Sequence, residues 1–296
     1  MELHNQPSVI PLYIACLLKK PNDLDQDKLK NLSDLTLSMK DIDINEKQLN
    51  KFKTFFGLQS NQEAVPITFL HLLVFRPHLK FMLAKQLPFP VLGLVHMYNE
   101  IISHKDVFID DRVNIQISIS EIKQTNKGVE ITLHSKIFRD RSLVWESFSG
   151  YLNPVRSKGA AKPALKRLNM NNAYERQQKW SILSNLGRQY ARLSGDANPI
   201  HLCGLTAKFF GFKQAIAHGM CMAFKCSAAL ENLSISNANR PTRLSIHFNK
   251  PVYLPSDVMF NYNLRHDTST FSITSGQSRK PLLTGELSNM KYNHPN

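Results

Sequence analysis

From Gly219 onward the chain runs through one apolar helical stretch, Met220–Leu230, and then four short segments of strand character: Arg243–Phe248, Val258–Leu264, Thr270–Thr274 and Leu282–Leu287. A single buried helix followed by closely spaced strands suggests an α+β unit with an antiparallel meander. Pro251-Val252-Tyr253-Leu254-Pro255 reads as a rigid corner between two of those strands. The same order occurs earlier in outline. Within the apolar region Pro66–Glu100, Val91–Ile102 reads as a buried helix, and Asn114–Ile119, Val129–His134 and Leu143–Phe148 alternate as strands. Ile44–Gly57 reads as a short helix capped by Gly57. Two such units predict an α+β chain built from a duplicated motif. Leu94-Val95-His96-Met97 then stands where Ala217-His218-Gly219-Met220 stands in the second unit.

The length of 296 residues suits two such units. Between them, Ser157–Lys166 is small, basic and Pro-containing, the best linker candidate. The net charge is +14, and residues 151–170 carry Arg156, Lys158, Lys162, Lys166 and Arg167 without one acidic residue. That excess suits steering of an anionic ligand or an acidic partner. No nucleic-acid module or basic-aromatic repeat accompanies it, so a nucleic-acid partner is not expected. Cys16, Cys203, Cys221 and Cys226 form neither a disulfide framework nor a metal-ligand ladder, and Cys221 and Cys226 read as core. Val9–Leu18 is apolar, but Pro11 interrupts it and it lacks a basic leader and a cleavage site. No run reaches the roughly 20 apolar residues of a membrane span. A cytoplasmic protein with no membrane partner is expected.

The chemistry concentrates in Tyr190–Met220. Asp196 precedes His201 by five residues, with Asn198-Pro199 between them, and Gly219 follows at a helix start. Pro199 fixes φ, and Asn198 can close an Asx turn that aims both side chains the same way. Ser194 and Gly195 allow a tight bend into Asp196. A carboxylate and an imidazole on a stiff loop can share one water and manage its protons. Gly219, without a Cβ, lets a ligand carbonyl approach its N–H, which a helix N-terminus leaves unpaired. These three functions are what adding water across a polarised double bond requires.

The run from Tyr190 to His201, followed by Ala207, Gly211-Phe212 and Ile216–Met220, resembles the signature of (R)-specific enoyl-CoA hydratases, members of the MaoC-like dehydratases. The resemblance implies a double hotdog fold, with residues 1–155 a degenerate half bearing a helical N-terminal extension, 156–170 a basic linker and 171–296 the catalytic half. It implies that Asp196 and His201 are the catalytic pair, that Gly219 supplies the oxyanion N–H, and that Ser194, Asn198 and His218 support loop and substrate. The implied reaction is reversible hydration of trans-2-enoyl thioesters of coenzyme A or acyl carrier protein to (R)-3-hydroxyacyl thioesters, with no metal and no other cofactor. Cys203 departs from the family, which often has an acidic residue there. The first half lacks the Asp-x-Asn-Pro-x-His sequence, and His96 reads as a core histidine, so one site per chain is expected with the first half shaping the acyl tunnel. A hotdog thioesterase and a non-catalytic acyl-thioester binding module are the alternatives. A homodimer fits this fold, but no residue pattern requires it.

Overall fold

The computed structural model describes residues 1–19, 32, 34–59, 63–154, 174–233, 242–276 and 278–290. The expected linker at 156–170 lies outside the described residues. Among the described residues the strands form one eleven-stranded sheet. In chain order they are β1 (Glu2–Leu3), β2 (Thr36–Asp43), β3 (Val95–Ser103), β4 (Arg112–Thr125), β5 (Gly128–Arg139), β6 (Ser142–Pro154), β7 (Arg176–Ile182), β8 (Thr242–Phe248), β9 (Ser256–Asn263), β10 (Thr268–Ser275) and β11 (Ser278–Asn289). Their spatial order is β1-β2-β4-β5-β6-β3-β8-β11-β10-β9-β7. Every pairing is antiparallel except β1 with β2. The two sequence halves therefore meet edge to edge at β3 and β8, in register from Tyr98 opposite His247 to Ser103 opposite Thr242. This is the α+β double hotdog arrangement.

Among the described residues the helices are α1 (Val9–Leu18), α2 (Glu46–Phe56), α3 (Ile67–Met82), α4 (Leu186–Ser194), α5 (Pro199–Leu202), α6 (Gly204–Phe209) and α7 (Gly219–Leu233). Two of them, α3 and α7, are apolar nearly all round and pack on the sheet, as helices enclosed by a core must be. Phe52 of α2 joins the two units. Its ring lies 5.5 Å from Phe69 of α3 and 6.1 Å from Phe224 of α7, and all three are fully buried. Aromatic pairs at such separations each add about 0.5–1.5 kcal/mol beyond area burial. Gly57 ends α2 in the left-handed conformation, as expected.

One expected element is wrong. Val91–Ile102 is not a helix: a short 3-10 turn at Val91–Gly93 leads into β3. The helix of the first unit is α3, 24 residues earlier by its start (91 minus 67). An apolar run this short reads either way, and partners decide. Here β3 bonds β6 on one edge and β8 on the other, and Asn99, Ile101 and Ser103 alternate inward. His96 accordingly sits on a strand, and Leu94–Met97 has no structural equivalence to the start of α7.

The N-terminal segment straps across α3. Pro77, inside α3, lacks the N–H that would bond the Leu73 carbonyl, and the Gln6 amide donates to that carbonyl at 2.9 Å. Leu12 and Cys16 of α1 pack on Leu79 and Val91. Past the end of α1, the Lys19 ammonium donates to the carbonyls of Met82 (2.7 Å) and Ala84 (2.9 Å), a favourable place for a cation at a helix C-terminus. Three anchors thus fix the rotation of α1 and the direction of Tyr13.

Candidate active site

Local sequence builds the loop between α4 and α5. Gly195 closes α4 in the left-handed region at φ 81°, open to glycine at little cost. The Ser194 hydroxyl donates to the Tyr190 carbonyl at 2.8 Å and accepts the Asp196 N–H at 3.0 Å. Asn198 caps α5 by accepting the Ile200 N–H at 3.4 Å, with Pro199 at the first helical position, and its own N–H donates to Asp196 Oδ1 at 3.3 Å. Gly187 lets α5 lie against α4, since a Cβ there would come 1.9 Å from the His201 carbonyl oxygen. Cys203 caps α6, its sulfur accepting the Thr206 N–H at 3.5 Å.

This loop brings together the residues expected from the sequence. Asp196, His201, His218, Ser194, Asn198 and Gly219 all line one cavity of about 300 Å³. The rings of His201 and His218 stack with centroids 3.7 Å apart. His201 Nδ1 bonds the Ile216 carbonyl at 2.7 Å, which leaves a lone pair on Nε2. His218 Nε2 donates to the Asp196 carbonyl at 2.9 Å and stands 3.8 Å from Asp196 Oδ2. Gly219 is the first residue of α7, where an N–H has no intrahelical partner. A Cβ at Gly219 would lie 2.8 Å from two ring carbons of Phe248, so the space left by the missing side chain seats that ring.

Tyr13 completes the cluster from outside the motif. Its hydroxyl donates to Asp196 Oδ1 at 2.7 Å across 183 positions of sequence. Burial, reinforced by the carboxylate, pushes the phenol up, so it remains a donor. Burial also works to raise the Asp196 carboxyl, but the His218 and His201 rings, the Tyr13 hydroxyl and the Asn198 N–H outweigh it and hold the carboxyl below its ordinary value. Burial, with His218 adding to it, lowers His201 to about 3, against the opposing pull of Asp196 and the Ile216 carbonyl. At neutral pH the site therefore holds an ionised carboxylate and a neutral imidazole. Both are proton acceptors.

One donor atom from each of Asp196, His201 and His218 lies within 4.8 Å of the others. Two imidazoles and a carboxylate are also a transition-metal donor set. His218 Nε2 and His201 Nδ1 each donate to a backbone carbonyl, which leaves His218 Nδ1 and His201 Nε2 as the free lone pairs of the two rings.

Residues 167–285 match the MaoC like domain family. This part of the chain is a MaoC-like dehydratase domain. More particularly, the chain is homologous to 3-hydroxyacyl-thioester dehydratase X of Mycobacterium tuberculosis, with 25% identity over 225 residues, 76% of this chain and 79% of that protein. The crystal structure of HtdX of Mycobacterium tuberculosis has the same fold, with a TM-score of 0.73 and 23% identity over 86% of this chain and 100% of the other. So does a MaoC-like dehydratase from Phytophthora capsici, with a TM-score of 0.73 and 16% identity over 90% of this chain and 98% of the other.

Among the described residues no helix is long and apolar enough to cross a membrane.

Proposed function

We propose that the protein is a hydro-lyase that reversibly hydrates trans-2-enoyl thioesters of coenzyme A or acyl carrier protein to (R)-3-hydroxyacyl thioesters. The observation that carries this reading is the convergence of Asp196 and His201 on one cavity beside the first N–H of α7. In the hydration direction, one water donates a hydrogen bond to the Asp196 carboxylate and another to His201 Nε2. Its oxygen attacks C3 of the enoyl thioester as a proton passes to this pair. The C2–C3 π electrons move towards the thioester carbonyl, and the Gly219 N–H stabilises the oxygen that gains charge. The proton then passes to C2, so that water is added overall and the pair is restored. Tyr13 holds Asp196 Oδ1, leaving Oδ2 for the water. Ser194 and Asn198 hold the loop, and His218 fixes the Asp196 backbone.

We assign the acid–base loop to residues 171–296 and the shaping of the acyl cavity to residues 1–155, joined by 156–170. Tyr13, His71, Leu79, His96 and Tyr151 of the first part line the same cavity, in support of that division. The four unpaired cysteines fit a reducing, cytoplasmic setting. The test is loss of the conjugated enoyl-thioester absorbance with trans-2-octenoyl-CoA, followed by chiral analysis. Formation of the (R)-3-hydroxy product supports the reading. Release of free thiol without hydration would replace it with a thioesterase.

A further inference from the structure

The wall of the cavity contributed by the first unit is unexpectedly polar for an acyl tunnel. His71 of α3 and His96 of β3 both line it, beside Tyr151. His71 Nδ1 and His96 Nε2 are buried and have no partner within the protein. Behind them His78, itself buried with an unpartnered Nε2, meets the Tyr151 ring edge-on at 5.6 Å. The His96 ring is held in place by stacking on Tyr151 at 4.6 Å and by contact with Phe248 at 4.8 Å. An unmet polar atom at a buried site is destabilising, so a native cluster of them points to something that binds there.

The chemistry of these rings narrows the ligand. The other His96 nitrogen is engaged by the backbone of Tyr98, which leaves Nε2 as a lone-pair acceptor. Burial lowers His71 to about 3 and His96 to about 4, so both are neutral and neither offers a charge to an anionic group. Among the described residues these rings do not converge as a metal-donor group, unlike Asp196, His201 and His218. A neutral acceptor on this wall pairs with a neutral donor.

We propose that His96, with His71 beside it, forms a subsite for a hydroxyl group on the acyl chain, so that the preferred substrates are hydroxylated enoyl thioesters rather than plain aliphatic ones. This rests on the hydratase reading for turnover but not for binding. The binding test uses the intact protein and saturated octanoyl-CoA, compared by calorimetry with its 5-, 6-, 7- and 8-hydroxy counterparts. The tightest hydroxy isomer should bind about tenfold or more better than octanoyl-CoA, the scale of one buried hydrogen bond gained or lost. Ordinarily a hydroxyl placed in an apolar tunnel weakens binding. His96→Leu and, separately, His71→Leu should bring that ratio towards one. If no isomer outbinds octanoyl-CoA, or if the ratio survives both substitutions in folded protein, the subsite does not exist. Hydroxyl preference in binding without turnover of any enoyl-CoA would sink the hydratase reading alone. Turnover of trans-2-octenoyl-CoA without hydroxyl preference would sink this inference alone.

Discussion

Lowering the pH from about 7.5 to about 5 should destabilise this protein through its buried histidines. His71, His96 and His201 stand at about 3, 4 and 3 in the folded chain, against 6.5 when free. Their folded values are depressed, so the unfolded chain binds protons that the native one refuses. The stability they contribute is complete above pH 6.5 and is lost as the pH falls towards their folded values. At pH 5 each is worth about 2 kcal/mol of lost stability, or about 6 kcal/mol together. Glu231 works the other way. Burial raises it to about 7 from 4.5, so it favours the native state on acidification, by about 2 kcal/mol over the same interval. These four groups together give a loss of about 4 kcal/mol, to which the buried His78 and His218, also depressed by burial, add in the same direction; that is a large part of a typical folding free energy of about 5–15 kcal/mol. Urea unfolding followed by tryptophan fluorescence at the two pH values measures it directly. A His71→Met variant should show a shallower pH slope, by close to one proton. Stability that is flat or rising between pH 7.5 and 5 would refute the assignment of neutral, buried histidines.

Three other outcomes follow from the site. Tyr13→Phe removes a hydrogen bond to a charged group, so kcat should fall by about tenfold or more and the acid limb of kcat/KM should move upward as the Asp196 carboxyl loses its donor; an unchanged pH profile would remove Tyr13 from the machinery. In the parent protein kcat/KM should be flat from about pH 7 down to about pH 5, because Asp196 is held low and His201 sits near 3, whereas a limb near 6.5 would contradict the neutral-imidazole assignment. Chelation should leave turnover intact, while added zinc should inhibit through Asp196, His201 and His218; loss of activity in chelator, restored by metal, would overturn the metal-free mechanism.

Elements whose identity rests on local pattern could be read directly. β4, β5 and β6 alternate and are separated by turn residues, and α7 begins at a glycine and stays apolar. The Asp196–His201 loop was equally legible, because Gly195, Asn198 and Pro199 act on their own neighbourhood. Elements fixed by remote partners could not be read. α3 is interrupted by Pro77, and the Leu73 carbonyl this frees is met by Gln6, 67 positions earlier in the sequence. β3 is apolar enough to pass for a helix, and only its pairing with β6 and β8 makes it a strand. Tyr13 lies in a segment that carries no motif, and its partner is Asp196, so the sequence contains no local trace of the contact. His96 was expected in the core; it is placed instead on the cavity wall by the strand.

The most direct test of the account is the turnover of trans-2-octenoyl-CoA by Asp196→Asn and His201→Asn variants whose circular dichroism matches that of the parent. Each should lose about 10²–10⁴-fold in kcat, the usual contribution of a positioned acid–base group. The double variant should be little worse than the poorer single one, because both groups act on one water. Near-parental hydration by either single variant would mean that the proton is moved by some other group.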